Sequence, residues 1–119
     1  NLERAIGMPE ALLNGEGWKG NAGDRYSLKL RSTTSWAISG TDDIGFKALS
    51  AGIRSEDGGY GFFFGNESRT AFWTSTNSPG TDLRGYRRIL QNQYQNSIAR
   101  NVYLKQHGES VRCVRDRSR

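Results

Sequence analysis

A single cysteine, Cys113, stands in 119 residues, and there are only 2 prolines, 1 methionine and 1 histidine. One thiol makes no internal disulfide and supplies no structural zinc site, both of which need several sulfur or imidazole ligands. Hydrophobic residues make up only 34% of the chain, and no apolar run approaches the roughly 18 residues needed to cross a bilayer. The first residues, Asn1-Leu2-Glu3-Arg4, show neither a start methionine nor a basic-then-apolar leader, so the sequence reads as processed or cut from a longer protein. No G-x-S-x-G elbow is present. His107, the one imidazole, lies in Lys105-Gln106-His107-Gly108, a turn pattern in which an exposed histidine is ordinary.

What the chain does have is glycine, arginine and aromatic rings. Fifteen glycines indicate many turns, and 13 aromatic residues offer enough buried area to offset the entropy of ordering a single core. The net charge is +5, and 13 of the 17 basic residues are arginines. Apart from Arg84/Arg87/Arg88 and the tail Arg112/Arg115/Arg117/Arg119 they are dispersed, which suits a solvated face and argues against a nucleic-acid partner.

Leu2, Ala5, Ile6, Leu12 and Leu13 recur at roughly helical spacing and predict one short, imperfect helix ending near Asn14-Gly15. Tyr26 to Arg31 alternates apolar with polar, the two-residue period of a half-buried strand. Further strands are predicted at Tyr60 to Gly65, Phe72-Trp73, Tyr86 to Leu90, Ile98 to Leu104 and Val111 to Val114. A turn is predicted at Asn77-Ser78-Pro79-Gly80 and a loop over Gln91 to Ser97. The expectation is an α+β fold, a small and mostly antiparallel β domain with a short N-terminal helix. Residues 1–119 form a single domain or the C-terminal part of one.

Gly15-Glu16-Gly17-Trp18-Lys19-Gly20 matches G-x-G-x-x-G, but a helix precedes it and a strand follows, the reverse of a dinucleotide site, so it reads as a glycine-rich loop. Asp42-Asp43 and Glu56-Asp57 lack the oxygen density of a calcium loop and read first as turn residues, with calcium the minor reading. No cofactor is expected. The remaining constellation is aromatic: Trp18, Trp36, Tyr60, Phe62, Phe64, Trp73 and Tyr86. Flat rings beside guanidinium groups suit sugar or peptide recognition, while core packing uses the same rings, and at least two of the three tryptophans are expected in the core.

Three stretches carry a family resemblance: Gly45-Phe46-Lys47-Ala48-Leu49-Ser50-Ala51-Gly52-Ile53-Arg54, Phe72-Trp73-Thr74-Ser75-Thr76, and Gly108-Glu109-Ser110-Val111-Arg112-Cys113-Val114-Arg115-Asp116. In order and spacing they resemble the G-F-x-A-L-P-G-G-Y-R, aromatic-Trp-Ser-Ser-Thr and S-V-R-C-V-R-D stretches of the Fibrobacter succinogenes major paralogous domain, over roughly residues 10 to 116. Ser50-Ala51 stands where that family has Pro-Gly, and Ile53 where it has Tyr. Its upstream Cys-Pro-x-Gly-Trp-His-Val-Pro stretch is absent from these 119 residues.

The resemblance implies a bacterial domain, of Bacteroidetes and Fibrobacter species, in secreted or surface-anchored proteins that are frequently lipoproteins. No catalytic activity is established for such domains, and the family's ending is also similar, by analogy, to that of C-type-lectin-like folds. The lectin-like group includes the formylglycine-generating enzyme, whose chemistry needs a cysteine pair that this chain lacks. The expected function is therefore protein or glycan contact in an adhesin or surface assembly, through Trp73, Arg54 and Tyr60, with Tyr86 and Arg87 as further candidates. The alternative is a purely structural subunit of a larger secreted complex or filament. The resemblance further implies that Cys113 sits on an inner strand as a disulfide candidate, its partner supplied by a second chain or a missing segment.

Overall fold

The computed structural model describes residues 2–21, 23–54, 63–64 and 68–113. Two four-residue helices, α1 (Leu2–Ala5) and α2 (Glu10–Leu13), replace the single N-terminal helix. The break is a Schellman ending: Gly7, at φ +93°, donates its N–H to the Arg4 carbonyl, and Met8 donates to the Glu3 carbonyl, each at 3.1 Å. Pro9, at φ −61°, then starts α2. Leu2, Ile6, Leu12 and Leu13 pack on the core as the spacing predicts, whereas Ala5 is exposed and Met8, outside the predicted set, is buried, because Gly7 and Pro9 bend the segment.

β1 (Gly17–Lys19) lies inside the glycine-rich segment. Gly20 is required there because a side chain would run into the Asn96 carbonyl, so its glycine serves close packing and not a phosphate. The segment predicted as a strand at Tyr26 to Arg31 is instead helix α3 (Tyr26–Leu30). Over five residues alternation and helical spacing coincide, since Tyr26 and Leu30 are also i and i+4. Burial of Tyr26, Ser27, Leu28 and Leu30 on almost every side decides for the helix, and the Arg31 Nε donates to Ser27 Oγ at 2.9 Å one turn back.

β2 (Ile53–Arg54) pairs antiparallel with β3 (Phe63–Phe64), and β4 (Arg69–Asn77), β5 (Arg84–Gln91) and β6 (Ile98–Leu104) make consecutive hairpins. With β1 on the edge, the main sheet runs β1-β6-β5-β4, antiparallel throughout. The predicted turn at Asn77 to Gly80 is found, closed by Ser78 N–H to the Arg84 carbonyl at 3.0 Å. The rung Ala71–Ile89–Ala99 packs with Ile53 on one face, while Leu90 and Ile98 face the helices together with Ile6, Met8, Tyr26, Leu30, Trp36 and Ala48. The result is a small α+β domain with an antiparallel sheet and short helices.

The tail departs from expectation. Ser110 bridges Phe72 in parallel, donating to the Ala71 carbonyl at 2.9 Å and accepting from Trp73 N–H at 3.1 Å. Strand pairing stops there. Val111, Arg112 and Cys113 are exposed and form no strand, so the inner-strand placement of Cys113 is corrected to an exposed free thiol; Val114 lies outside the described residues. Although β4 runs on to Asn77, the tail leaves its edge after Ser110, and Arg112 turns to the Phe46 carbonyl, 2.8 Å away.

Candidate functional site

β4 positions the site. Its alternation sends Phe72 toward the helices and Trp73 to the other face, and the register breaks between Trp73 and Asn77. The half-buried Trp73 ring lies over Gly85 of β5, at a distance where a side-chain Cβ would make ordinary van der Waals contact with the indole. Around it, Thr74, Thr76, Asn77, Gly85 and Lys105 enclose a groove of about 290 Å³. Lys105 Nζ donates to Asn77 Oδ1 at 2.6 Å, and Thr74 Oγ1 donates to the Tyr86 carbonyl at 2.9 Å. One flat ring with hydroxyl, amide and ammonium groups at its border is chemistry for a polar ligand with an apolar face.

Next to Trp73 on the adjoining strand sits Arg87, buried. Its Nη1 reaches Glu109 Oε2 at 2.6 Å, its Nε donates to Asn101 Oδ1 at 2.8 Å, and its guanidinium lies 4.2 Å from the Tyr103 ring centroid. The Glu109 side chain is fully buried, and its Oε1 accepts no hydrogen bond among the described residues. His107 joins this cluster, with Nδ1 3.5 Å from Glu109 Oε2 and its ring 4.2 Å from Tyr103. The expectation of an exposed His107 is thereby corrected. The turn after β6 folds back so that Gly108 pairs with Arg54, and this closes the imidazole under the small sheet.

On the opposite face a second cluster stands under the helices. Buried Glu3 takes Lys19 Nζ at 2.8 Å and Arg88 Nε at 3.0 Å. Burial pushes the Lys19 ammonium below its ordinary value, against the opposing pull of Glu3. Arg31 is buried without a carboxylate among the described residues. Its donors go to Ser27 Oγ and to the Ile38 and Gln91 carbonyls, and its guanidinium stacks 4.7 Å from the Trp36 ring. Beside the Glu3 cluster an apolar hollow of about 220 Å³ is lined by Phe46 and Phe72, which meet edge to face at 5.6 Å, and Trp73 and Thr74 also border it.

Of the residues singled out in the sequence, Trp73 and Arg87 are cross-strand neighbours. Arg54 is exposed and pairs with Gly108, beside Glu109. Tyr86 belongs to the other face, its hydroxyl on Glu16 Oε1 at 2.9 Å and the Arg100 guanidinium 4.0 Å from its ring. Tyr60 lies outside the described residues, as do Glu56-Asp57. Asp42 Oδ1 accepts the Lys47 N–H at 2.9 Å, and among the described residues no three His, Cys, Asp or Glu side chains gather as metal ligands. Only Trp36 of the three tryptophans is buried, its Nε1 donating to the Ala48 carbonyl at 2.7 Å. Trp18 is exposed and stacks on Tyr94 at 4.2 Å, which corrects the expectation of two in the core.

Sequence reasoning missed Thr74, Thr76, Asn77 and Lys105. The polar run Thr74 to Asn77 directly after Phe72-Trp73 was a readable sign of a strand with a polar end. Lys105 reaches Asn77 only through the pairing of β5 with both neighbours.

The family model of the Fibrobacter succinogenes major domain matches residues 1–115, including helix α1, which lies outside the expected 10 to 116. No curated protein and no solved structure matches the chain.

Proposed function

The chain belongs to the Fibrobacter succinogenes major domain family, which points to a bacterial surface or secreted domain, and on that premise we propose that it is a non-enzymatic binding domain that contacts glycan through the Trp73 groove. The observation that carries this reading is the half-buried indole laid against Gly85, with Thr76, Asn77 and Lys105 exposed around it. A groove of about 290 Å³ suits one or two sugar rings. The pyranose C–H face stacks on the indole while the amide and ammonium fix its hydroxyls. Arg87 serves this site as a buried support behind Trp73, and Arg54 borders a separate hollow with Gly52, Glu109 and Ser110. We read the framework as C-type-lectin-like and the setting as an adhesin or surface assembly. No helix among the described residues is long and apolar enough to cross a membrane.

A glycan array probed with the wild-type chain and with Trp73→Ala and Asn77→Ala tests the reading. Each variant is expected to lose most of the signal on the same glycans; signal that survives both substitutions removes the groove from the site. The structural-subunit reading is favoured by one observation, the exposure of Leu49, Leu83 and Val111 and of the stacked Trp18–Tyr94 pair. Sedimentation that shows self-association, abolished by Trp18→Ser and unaffected by Trp73→Ala, would select it.

A further inference from the structure

The hollow lined by Phe46 and Phe72 differs in chemistry from the Trp73 groove. Leu30, Leu90 and Ile98 of the main core line it with the two phenylalanines, and its surface is predominantly apolar. An apolar cavity of about 150 Å³ takes one benzene ring, whereas sites for drug-sized ligands begin near 300 Å³. At about 220 Å³ this hollow has room for a single ring or branched chain with a short arm, and it is too small for an oligosaccharide.

Its charge is one-sided. Glu3 is already held by Lys19 and Arg88, one carboxylate between two cations. Arg112, on the same hollow, donates Nη1 to the Phe46 carbonyl at 2.8 Å and lies 4.7 Å from the Phe46 ring centroid. No carboxylate pairs with Arg112 among the described residues. An exposed guanidinium anchored over a ring at the mouth of an apolar space presents its remaining N–H groups to an anion.

We propose that this hollow binds a single apolar group bearing a carboxylate, with the ring or branched chain against the wall that the contacting Phe46 and Phe72 form with Leu30, Leu90 and Ile98, and the carboxylate on Arg112. Glu3 takes no part in holding the ligand; its two cations turn its charge away from the site. A cationic or neutral analogue of the same shape gains the apolar contact and none of the ion pair. Trp73 and Thr74 border both spaces, but the ligand class, the probes and the residues followed differ from those of a glycan on Trp73, so each reading can fail alone.

The probes are 3-phenylpropionate and its neutral isostere 3-phenylpropionamide, followed by the methyl NMR signals of Leu30, Leu90 and Ile98. The acid is expected to shift these signals saturably below about 10 mM and to bind roughly tenfold more tightly than the amide. Arg112→Gln is expected to bring acid and amide to equal affinity while leaving the rest of the spectrum in place. Peptides ending in Phe, with free and with amidated C-termini, separate the sources. Preference for the free-ended peptide assigns the carboxylate to a polypeptide terminus, and binding of the free acid alone assigns it to a small molecule. Equal affinity of acid and amide in the wild-type chain, or no shift at the three residues, overturns the proposal without reference to any variant.

Discussion

Replacing Glu109 with alanine tests whether the buried ion pair with Arg87 behaves as its burial requires. The substitution leaves the Arg87 guanidinium under the small sheet without its anion. Breaking a buried pair on one side costs about 3–5 kcal/mol, because the surviving charge stays desolvated. Arg87 keeps Asn101 Oδ1 at 2.8 Å and the Tyr103 ring at 4.2 Å, which places the expected loss near the lower end, about 3 kcal/mol. For a domain of this size that is a fall in melting temperature on the order of 10–15 °C and a shift of the urea midpoint by roughly 2 M. Glu109 Oε1 already lacks a hydrogen-bond donor among the described residues, so the pair is imperfectly satisfied. Replacing both charges at once, Arg87→Met with Glu109→Leu, is therefore expected to recover most of the loss. The exposed pair Arg4–Glu10 has the same 2.6 Å separation, and Glu10→Ala should leave the midpoint unmoved, because water screens what the sheet does not. A loss below about 1 kcal/mol for Glu109→Ala, or a double variant no more stable than the single one, would refute the reasoning.

Two further outcomes follow from particular contacts. Burial holds the Lys19 ammonium below its ordinary 10.5, so the unfolded chain binds that proton more tightly, and stability must rise with pH across the window that ends at 10.5. Lys19→Met is expected to remove that rise from urea midpoints measured as a function of pH, and identical slopes in both proteins would count against it. A side chain at Gly40 would overlap the carbonyl and Cβ of Arg31, so Gly40→Ala is expected to cost on the order of 2–4 kcal/mol by chemical denaturation. An unchanged midpoint would mean that the 32–40 segment shifts freely away from α3.

Local chemistry was legible wherever one signal acted alone. The hairpin strands at Phe72-Trp73, Tyr86 to Leu90 and Ile98 to Leu104, and the turn at Asn77 to Gly80, follow from apolar and aromatic runs bounded by turn residues. Tyr26 to Leu30 was misread because five residues satisfy both periods, and the choice belongs to the surfaces they are buried against. His107 and Cys113 exchanged their expected environments for a related reason. A short apolar stretch such as Val111 to Val114 cannot say whether a neighbouring strand will accept it, and here the pairing ends at Ser110.

Composition and local pattern determined a turn-rich chain with little aliphatic core, several short strands and no apolar run of bilayer length, since these depend on residue counts and on neighbours in the chain. The identity of the family was equally local, carried by ordered short stretches. Which rings meet which charges was decided only by the fold. The register that sets Trp73 beside Arg87 and the crossing that brings Glu109 under Arg87 join residues far apart in sequence. The helices likewise close Glu3 over Lys19 and Arg88. Electrostatics and packing act through space, so they exist only once the chain has closed on itself.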